Sequence, residues 1–202
     1  MGGFELFETA KRVIVAEYKE LDLPVIETAS EELDPQRYGQ FDLIFSYNVM
    51  EHIPEFERSL RAQADLLSPE GVIVHNCPNY TFPYEPHFAV PVVKPLPHLT
   101  EAIFRKKLDA DRPLWESLNF ISCADVRSFA TEHDLDVQFS PGLLYNALAR
   151  LGTDPLFLDR HDGSAVVSIY KLLSKSGTIS LLKHLPASIV TPMQFELRHD
   201  VA

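Results

Sequence analysis

Two short runs of β-favouring apolar residues, Phe41-Asp42-Leu43-Ile44-Phe45-Ser46 and Val72-Ile73-Val74-His75, constrain this chain more than any other feature. Between them Phe56, Leu60, Ala64 and Leu67 fall on one stripe at helical spacing, and Pro54 stands near the helix start, where its missing N–H costs little. A nearly continuous apolar run fits a strand covered on both faces, as parallel sheets require. Strand, helix and strand in this order predict an α/β sheet with ligands at the carboxyl ends of its strands.

The alternation extends in both directions. Upstream, Leu6, Ala10, Val13 and Ile14 share one helical face within residues 4–20, and Leu23-Pro24-Val25-Ile26-Glu27-Thr28 reads as a short strand. Ser68-Pro69-Glu70-Gly71 reads as a turn ahead of the second apolar run. Downstream, Ser122-Cys123-Ala124-Asp125 has the form of a capping box opening a helix that reaches about His133. Leu135-Asp136-Val137-Gln138-Phe139 then alternates like a strand, and amphipathic helices are expected near 142–150 and 164–185. Met193-Gln194-Phe195-Glu196-Leu197-Arg198 suits a terminal strand with one wetter face. Residues 76–99 are rich in proline and have no period, so they form a long loop of the kind that carries function.

No repeat, low-complexity tract or Gly/Ser linker divides the chain, so residues 1–202 are expected to form a single domain. Acidic side chains outnumber basic ones by 29 to 18 and the net charge is −11, which repels phosphate backbones and argues against nucleic acid as a partner. Cys77 and Cys123 form neither a disulfide framework nor a metal-type pair, and read as thiols of a reducing compartment. No stretch offers the roughly 18 apolar residues a spanning helix needs, and no basic-then-apolar leader opens the chain. A soluble, cytoplasmic protein without a membrane span is the expectation.

Chemistry is expected where the two apolar strands end, in Ser46–Ile53 and in Asn76–Phe88. Glu51-His52 reads either as an acid/base pair or as a loop-ordering histidine beside a capping or solvated glutamate. Tyr84, Glu85 and His87 either bind or deprotonate a ligand, or are polar groups on a proline-stiffened loop. The spacing of His52, His75 and His87 matches no compact ligand motif, so no metal is expected. Asn79-Tyr80-Thr81 matches a glycosylation acceptor by chance, and Asp42 sits at the wrong end of its strand to touch a ligand.

Phe41–Ser46 followed by Val49-Met50-Glu51-His52-Ile53 resembles the fourth-strand motif of class I S-adenosylmethionine-dependent methyltransferases. The following helix, the Ser68–Gly71 segment and Val72–His75 resemble that family's fifth-strand unit, and Ala29-Ser30-Glu31-Glu32-Leu33 its adenine-contacting loop. Residues 193–198 are similar to its last, antiparallel strand. The resemblance implies a Rossmann-like sheet in the order 3-2-1-4-5-7-6, mostly parallel with an antiparallel C-terminal strand. It implies S-adenosylmethionine as cofactor, with Ala29 and Ser30 at the adenine and Ser46, Tyr47 and Asn48 at the methionine part. Tyr80, Tyr84, Glu85 and His87 would then face a small-molecule or lipid-like methyl acceptor, with no catalytic residue assigned.

The sequence departs from the family where the glycine-rich loop after strand one and the ribose-binding acid ending strand two should stand. Ala29 also occupies a place where an acidic residue is common. The expected fold is therefore a truncated methyltransferase-like domain missing the first two strands. Its third strand would pair directly with the fourth or leave an edge through which the chain pairs with another subunit. The expected function is methyl transfer impaired by the absent loop, or alternatively a non-catalytic remnant acting as an interaction or structural protein. Another nucleotide-binding α/β enzyme ranks behind both, because no glycine loop is present to cradle a phosphate.

Overall fold

The computed structural model describes residues 32–161 and 165–200. The helix expected over 4–20, the strand over 23–28, and Ala29 and Ser30 lie outside the described residues. Four strands make one sheet: β1 (Phe41–Tyr47), β2 (Leu67–Cys77), β3 (Leu135–Phe139) and β4 (Met193–His199), ordered β1-β2-β4-β3. β1 and β2 are parallel, and β4 is antiparallel to both β2 and β3. Three strands therefore point one way and the C-terminal strand the other, in the order and directions that the resemblance implies for strands 4-5-7-6. The chain is an α/β protein with a Rossmann-like sheet that is mixed among the described strands, one pairing being parallel and two antiparallel, where a mostly parallel sheet was expected.

The described helices are α1 (Pro35–Tyr38), α2 (Phe56–Leu66), α3 (Pro97–Leu108), α4 (Arg112–Ser117), α5 (Cys123–Glu132), α6 (Leu143–Thr153), α7 (Pro155–His161) and α8 (Ala165–Lys175). α5 begins as expected: the Asp125 carboxylate accepts from the Ser122 backbone N–H at 2.8 Å and from its hydroxyl at 2.7 Å. The helix expected over 164–185 is cut short. Gly177, at φ 70°, lets the chain turn back so that Thr178 N–H reaches Leu173 O at 3.1 Å, and a 3-10 turn follows over Ile179–His184.

The turn expected at Ser68–Gly71 lies inside β2. Phe41 pairs with Leu67 but Leu43 pairs with Val72, so these residues form a bulge in an unbroken strand. Ser68 Oγ donates to Asp42 Oδ1 at 2.6 Å across it, which gives Asp42 the structural role expected. Gly71 is required there, because a Cβ would come within 2.7 Å of Leu67 Cδ1 and 2.9 Å of Phe41 O.

One face of the sheet carries the main core. α2 contributes Leu60 and Ala64, α5 contributes Val126, Phe129 and Ala130, and they pack on Ile73, Cys77, Met193, Phe195 and Leu197. Because cross-strand partners share a face, Leu43, Phe45 and Tyr47 of β1 lie beside Val72, Val74 and Asn76 of β2 on the opposite side. That side grades into Glu196, Arg198, Asp136 and Gln138 toward β3. β1 is therefore not covered on both faces as its apolar run predicts: Leu43 is 54% and Phe45 73% exposed. Among the described residues β1 has a neighbour on one edge only, and no described helix covers its second face.

A second core lies under the long loop. Tyr80, Phe88, Val90 and Val92 pack against Leu108 of α3, Trp115 of α4 and Leu118. Phe120 stacks edge-on against both Tyr80 and Trp115, with centroids 5.1 and 5.4 Å away. A third cluster joins α6, α7 and α8. No helix among the described residues is long and apolar enough to cross a membrane.

A buried polar chain stitches β1, β2 and α2 together. Ser46 Oγ meets His75 Nδ1 at 2.8 Å, His75 Nε2 meets Gln63 Oε1 at 2.7 Å, and Gln63 Nε2 donates to Ser59 Oγ at 3.1 Å. The Gln63 carbonyl can only accept, so His75 carries its proton on Nε2 and accepts from Ser46. His75 is 1% exposed, and burial lowers its pKa from 6.5 to about 4. Above pH 6.5 the ring is neutral in both folded and unfolded chains and costs nothing. Between pH 6.5 and about 4 the unfolded chain takes up a proton that the folded chain refuses, so stability falls with pH. The loss over that window is about 3 kcal/mol at 1.36 kcal/mol per pH unit. Urea titrations across this range should show the slope in the wild type and its loss in His75→Gln, whatever that variant's stability at neutral pH.

Candidate functional site

The segments leaving the carboxyl ends of β1 and β2 meet. Asn48 turns the chain off β1 at φ 54°, and its N–H donates to Asn76 O at 2.8 Å, so the two strands end level. A 3-10 turn, Met50–His52, follows and buries Met50 and Glu51 completely. Asn119 fixes this turn: its side-chain amide donates to Met50 O and Ile53 O, both at 2.7 Å, and its backbone N–H donates to Glu51 O at 2.9 Å.

Asn79 performs the same service at the end of β2. Its amide donates to Ala187 O and Val190 O at 2.9 Å each, and its carbonyl accepts from Thr81 N–H. The residue is fully buried, so the sequon is closed to modification, as expected of a chance match.

Glu85 organises the loop that follows. It is fully buried, and its carboxylate accepts from Phe88 N–H at 2.6 Å, His87 N–H at 3.1 Å, Tyr80 O–H at 3.3 Å and His87 Nδ1 at 2.6 Å. Its backbone also pairs with Val90 in both directions. Tyr80 is 1% exposed and its hydroxyl pKa is pushed far up by burial and the neighbouring Glu85 carboxylate. Tyr80 and Glu85 are therefore the loop's frame. Of the four residues expected to face an acceptor, Tyr84 and His87 reach solvent.

His87 lies against the turn after β1. Its ring centroid is 5.1 Å from that of His52, at 65° between planes. Glu51 Oε1 lies 3.8 Å from His52 Nε2 and 3.9 Å from His87 Nε2, beyond hydrogen-bond reach of either. Neither carboxylate oxygen of Glu51 has a hydrogen-bond partner. Burial raises the Glu51 pKa, burial lowers that of His52, and the hydrogen bond to Glu85 raises that of His87. His52 orders the turn through the Ser117 hydroxyl at 2.8 Å, while Glu51 neither caps a helix nor meets solvent. The acid/base and loop-ordering readings of Glu51-His52 both missed His87, which sequence spacing cannot place beside them.

The residues expected at a methionine end divide. Tyr47 is 65% exposed, and Asn48 is exposed with no side-chain hydrogen bond among the described residues. Both are accessible at the end of β1. The Ser46 hydroxyl points to the other face and is committed to His75, so only its backbone is left for a ligand. A separate surface pocket of about 370 Å³ is lined by Tyr80, Lys94, Ser122 and Asp125, among others. Its polar groups already satisfy one another, since Lys94 is bonded to both Asp125 and Ser122.

Removing the Glu85 carboxylate strands four donors in a buried loop. Glu85→Ala should cost about 3 kcal/mol in a urea titration, in line with losing one partner of a buried charged network. Limited proteolysis should then cut within residues 78–92 of the variant and spare the wild type.

Residues 3–75 match a protein family described as methyltransferase domain. Two uncharacterized proteins of Mycobacterium tuberculosis, MT1557 and Rv1509, are each 32% identical over 165 residues. Those alignments take in 78% of this chain and 56% of each relative, so the chain spans about half the length of the curated relatives it matches. Among solved structures, phosphoethanolamine N-methyltransferase 2 of Haemonchus contortus with S-adenosyl-L-methionine is similar at 16% identity and TM-score 0.39, over 79% of this chain and 34% of that one. Coclaurine N-methyltransferase bound to N-methylheliamine and S-adenosylhomocysteine is similar at 12% identity and TM-score 0.42, over 94% of this chain and 57% of that one. The methyltransferase-domain match runs from residue 3 through β1 and most of β2, so this stretch of the chain is similar to methyltransferase domains.

Proposed function

We propose that this chain carries the carboxyl-end half of a methyl-transfer site, taking S-adenosylmethionine as donor and a small or lipid-like molecule as acceptor. The observation that carries the reading is the meeting of the two post-strand segments, with exposed Tyr47 and Asn48 on one side and the His52–His87 pair on the other. Bound there, the cofactor supplies a sulfonium whose methyl group is already electrophilic. The chain's own part is to align: Tyr47 and Asn48 hold the donor's methionine end, while Tyr84 and the open side of the histidine pair meet the acceptor. Fixing two reactants in register is itself a large rate term, worth up to about 7–11 kcal/mol in well-oriented systems. Ala29 and Ser30 complete the reading at the adenine end.

A second reading is favoured by the exposed stripe of Leu43, Phe45 and Tyr47 on β1. Here the chain is a non-catalytic member of the family whose open sheet edge pairs with another subunit. Size-exclusion chromatography with light scattering decides that version for self-pairing, and a monomer at all accessible concentrations sinks it.

The first reading is tested by isothermal titration of the chain with S-adenosylhomocysteine. One equivalent should bind, and Asn48→Ala should weaken binding roughly tenfold, about 1.4 kcal/mol, as for one lost hydrogen bond to a ligand. A folded chain that binds none would remove the proposal that it acts as a methyltransferase on its own.

A further inference from the structure

Glu51, His52 and His87 form a cluster that ordinary hydrogen bonding does not explain. Each histidine has one nitrogen committed on the far side of its ring. Ser117 Oγ donates its own proton to Leu114 O at 2.7 Å, so it can only accept from His52, and His52 Nδ1 must carry the hydrogen. His87 Nδ1 faces the Glu85 carboxylate at 2.6 Å and carries its hydrogen for the same reason. In the neutral rings both Nε2 atoms therefore present lone pairs, and they lie 3.8 and 3.9 Å from Glu51 Oε1. The Glu51 carboxylate is fully buried and neither of its oxygens has a donor. With the rings neutral, two lone pairs and an orphaned carboxylate share one small gap.

From this geometry we infer a divalent cation site of the zinc type, with Glu51, His52 and His87 as its protein ligands. The three donor atoms lie within 4.8 Å of one another. Bonds of about 2 Å at a tetrahedral angle set two donors about 3.3 Å apart, so the 3.8 and 3.9 Å that separate Glu51 from the two imidazoles need to close by about 0.5 Å when the ion binds. Two nitrogens and one carboxylate oxygen form a donor set that suits a borderline cation such as zinc and leaves a fourth position open. Glu51 is fully buried while each histidine ring is 25% exposed, so the open position falls on the solvent side.

The outer contacts are those such a site needs. Glu85 holds His87 and the Ser117 hydroxyl holds His52, each through Nδ1, which fixes the tautomer that frees Nε2. Both supports are themselves anchored, Glu85 by two backbone N–H groups and Ser117 by Leu114 O. The inference stands independently of methyl transfer, because it uses only the geometry of these five side chains.

The test is a titration of the chain with zinc chloride against a chromophoric chelator, with cobalt(II) replacing zinc in a parallel absorption experiment. One equivalent should bind, and the cobalt form should show the visible bands of a low-symmetry, four- or five-coordinate site. His87→Ala, at a partly exposed position, should fold normally and lose at least 100-fold in affinity, as should Glu51→Gln. Glu85→Gln, which leaves all three ligands in place, should lose 10–100-fold. Circular dichroism of each variant separates lost ligation from lost fold. A folded wild-type chain that binds no zinc at micromolar concentration would overturn the inference. So would binding that His87→Ala and Glu51→Gln leave unchanged, since other residues would then hold the ion.

Discussion

Removing a carboxylate from water is among the most expensive local acts of folding, and the structure around the strand ends follows from how two glutamates meet that cost. Glu85 is surrounded by donors from Tyr80, His87 and Phe88, and in collecting them it bends the proline-rich segment into one shape. Glu51 collects none. The first arrangement builds a loop and the second leaves an unmet charge facing two imidazoles. Such groups concentrate at functional sites, because a fold tolerates the penalty only where a ligand or proton relieves it.

The site is held by side-chain amides more than by regular structure. Asn119 and Asn79 each use both amide hydrogens on main-chain carbonyls, and so tie the turn after β1 and the end of β2 to distant segments. The aromatic cluster of Tyr80, Phe88, Trp115 and Phe120 packs beneath, so the long loop has a core of its own. The sheet contributes the common origin: level parallel strand ends deliver both segments to one place.

The opposite face of the sheet has a different logic. From β1 to β3 it changes from Leu43, Phe45 and Val74 to Glu196, Arg198 and Asp136. Water suits the β3 side, while the β1 side carries the composition of a surface that packs against something. This asymmetry is why β1 reads as an interior strand and yet stands exposed among the described residues.

Much of the architecture is legible in the residues because it is local. The capping box at Ser122 and Asp125, the alternation of Leu135–Phe139 and the stripe on α2 each follow from the period of one short segment. The Ser68–Gly71 bulge was not legible, since a bulge depends on what the neighbouring strand does and the same residues alone spell a turn. Asp42 was readable from its place at the start of β1. The roles of Tyr80 and Glu85 were not, because burial of a polar side chain is decided by packing that no local pattern records. The sequence by itself determined the elements, their order and the two segments where chemistry gathers, since hydrophobic period and strand polarity are properties of the chain. Only the tertiary structure decided that His87 lies beside Glu51 and His52, because a proximity set by loop closure across 35 residues leaves no trace in spacing.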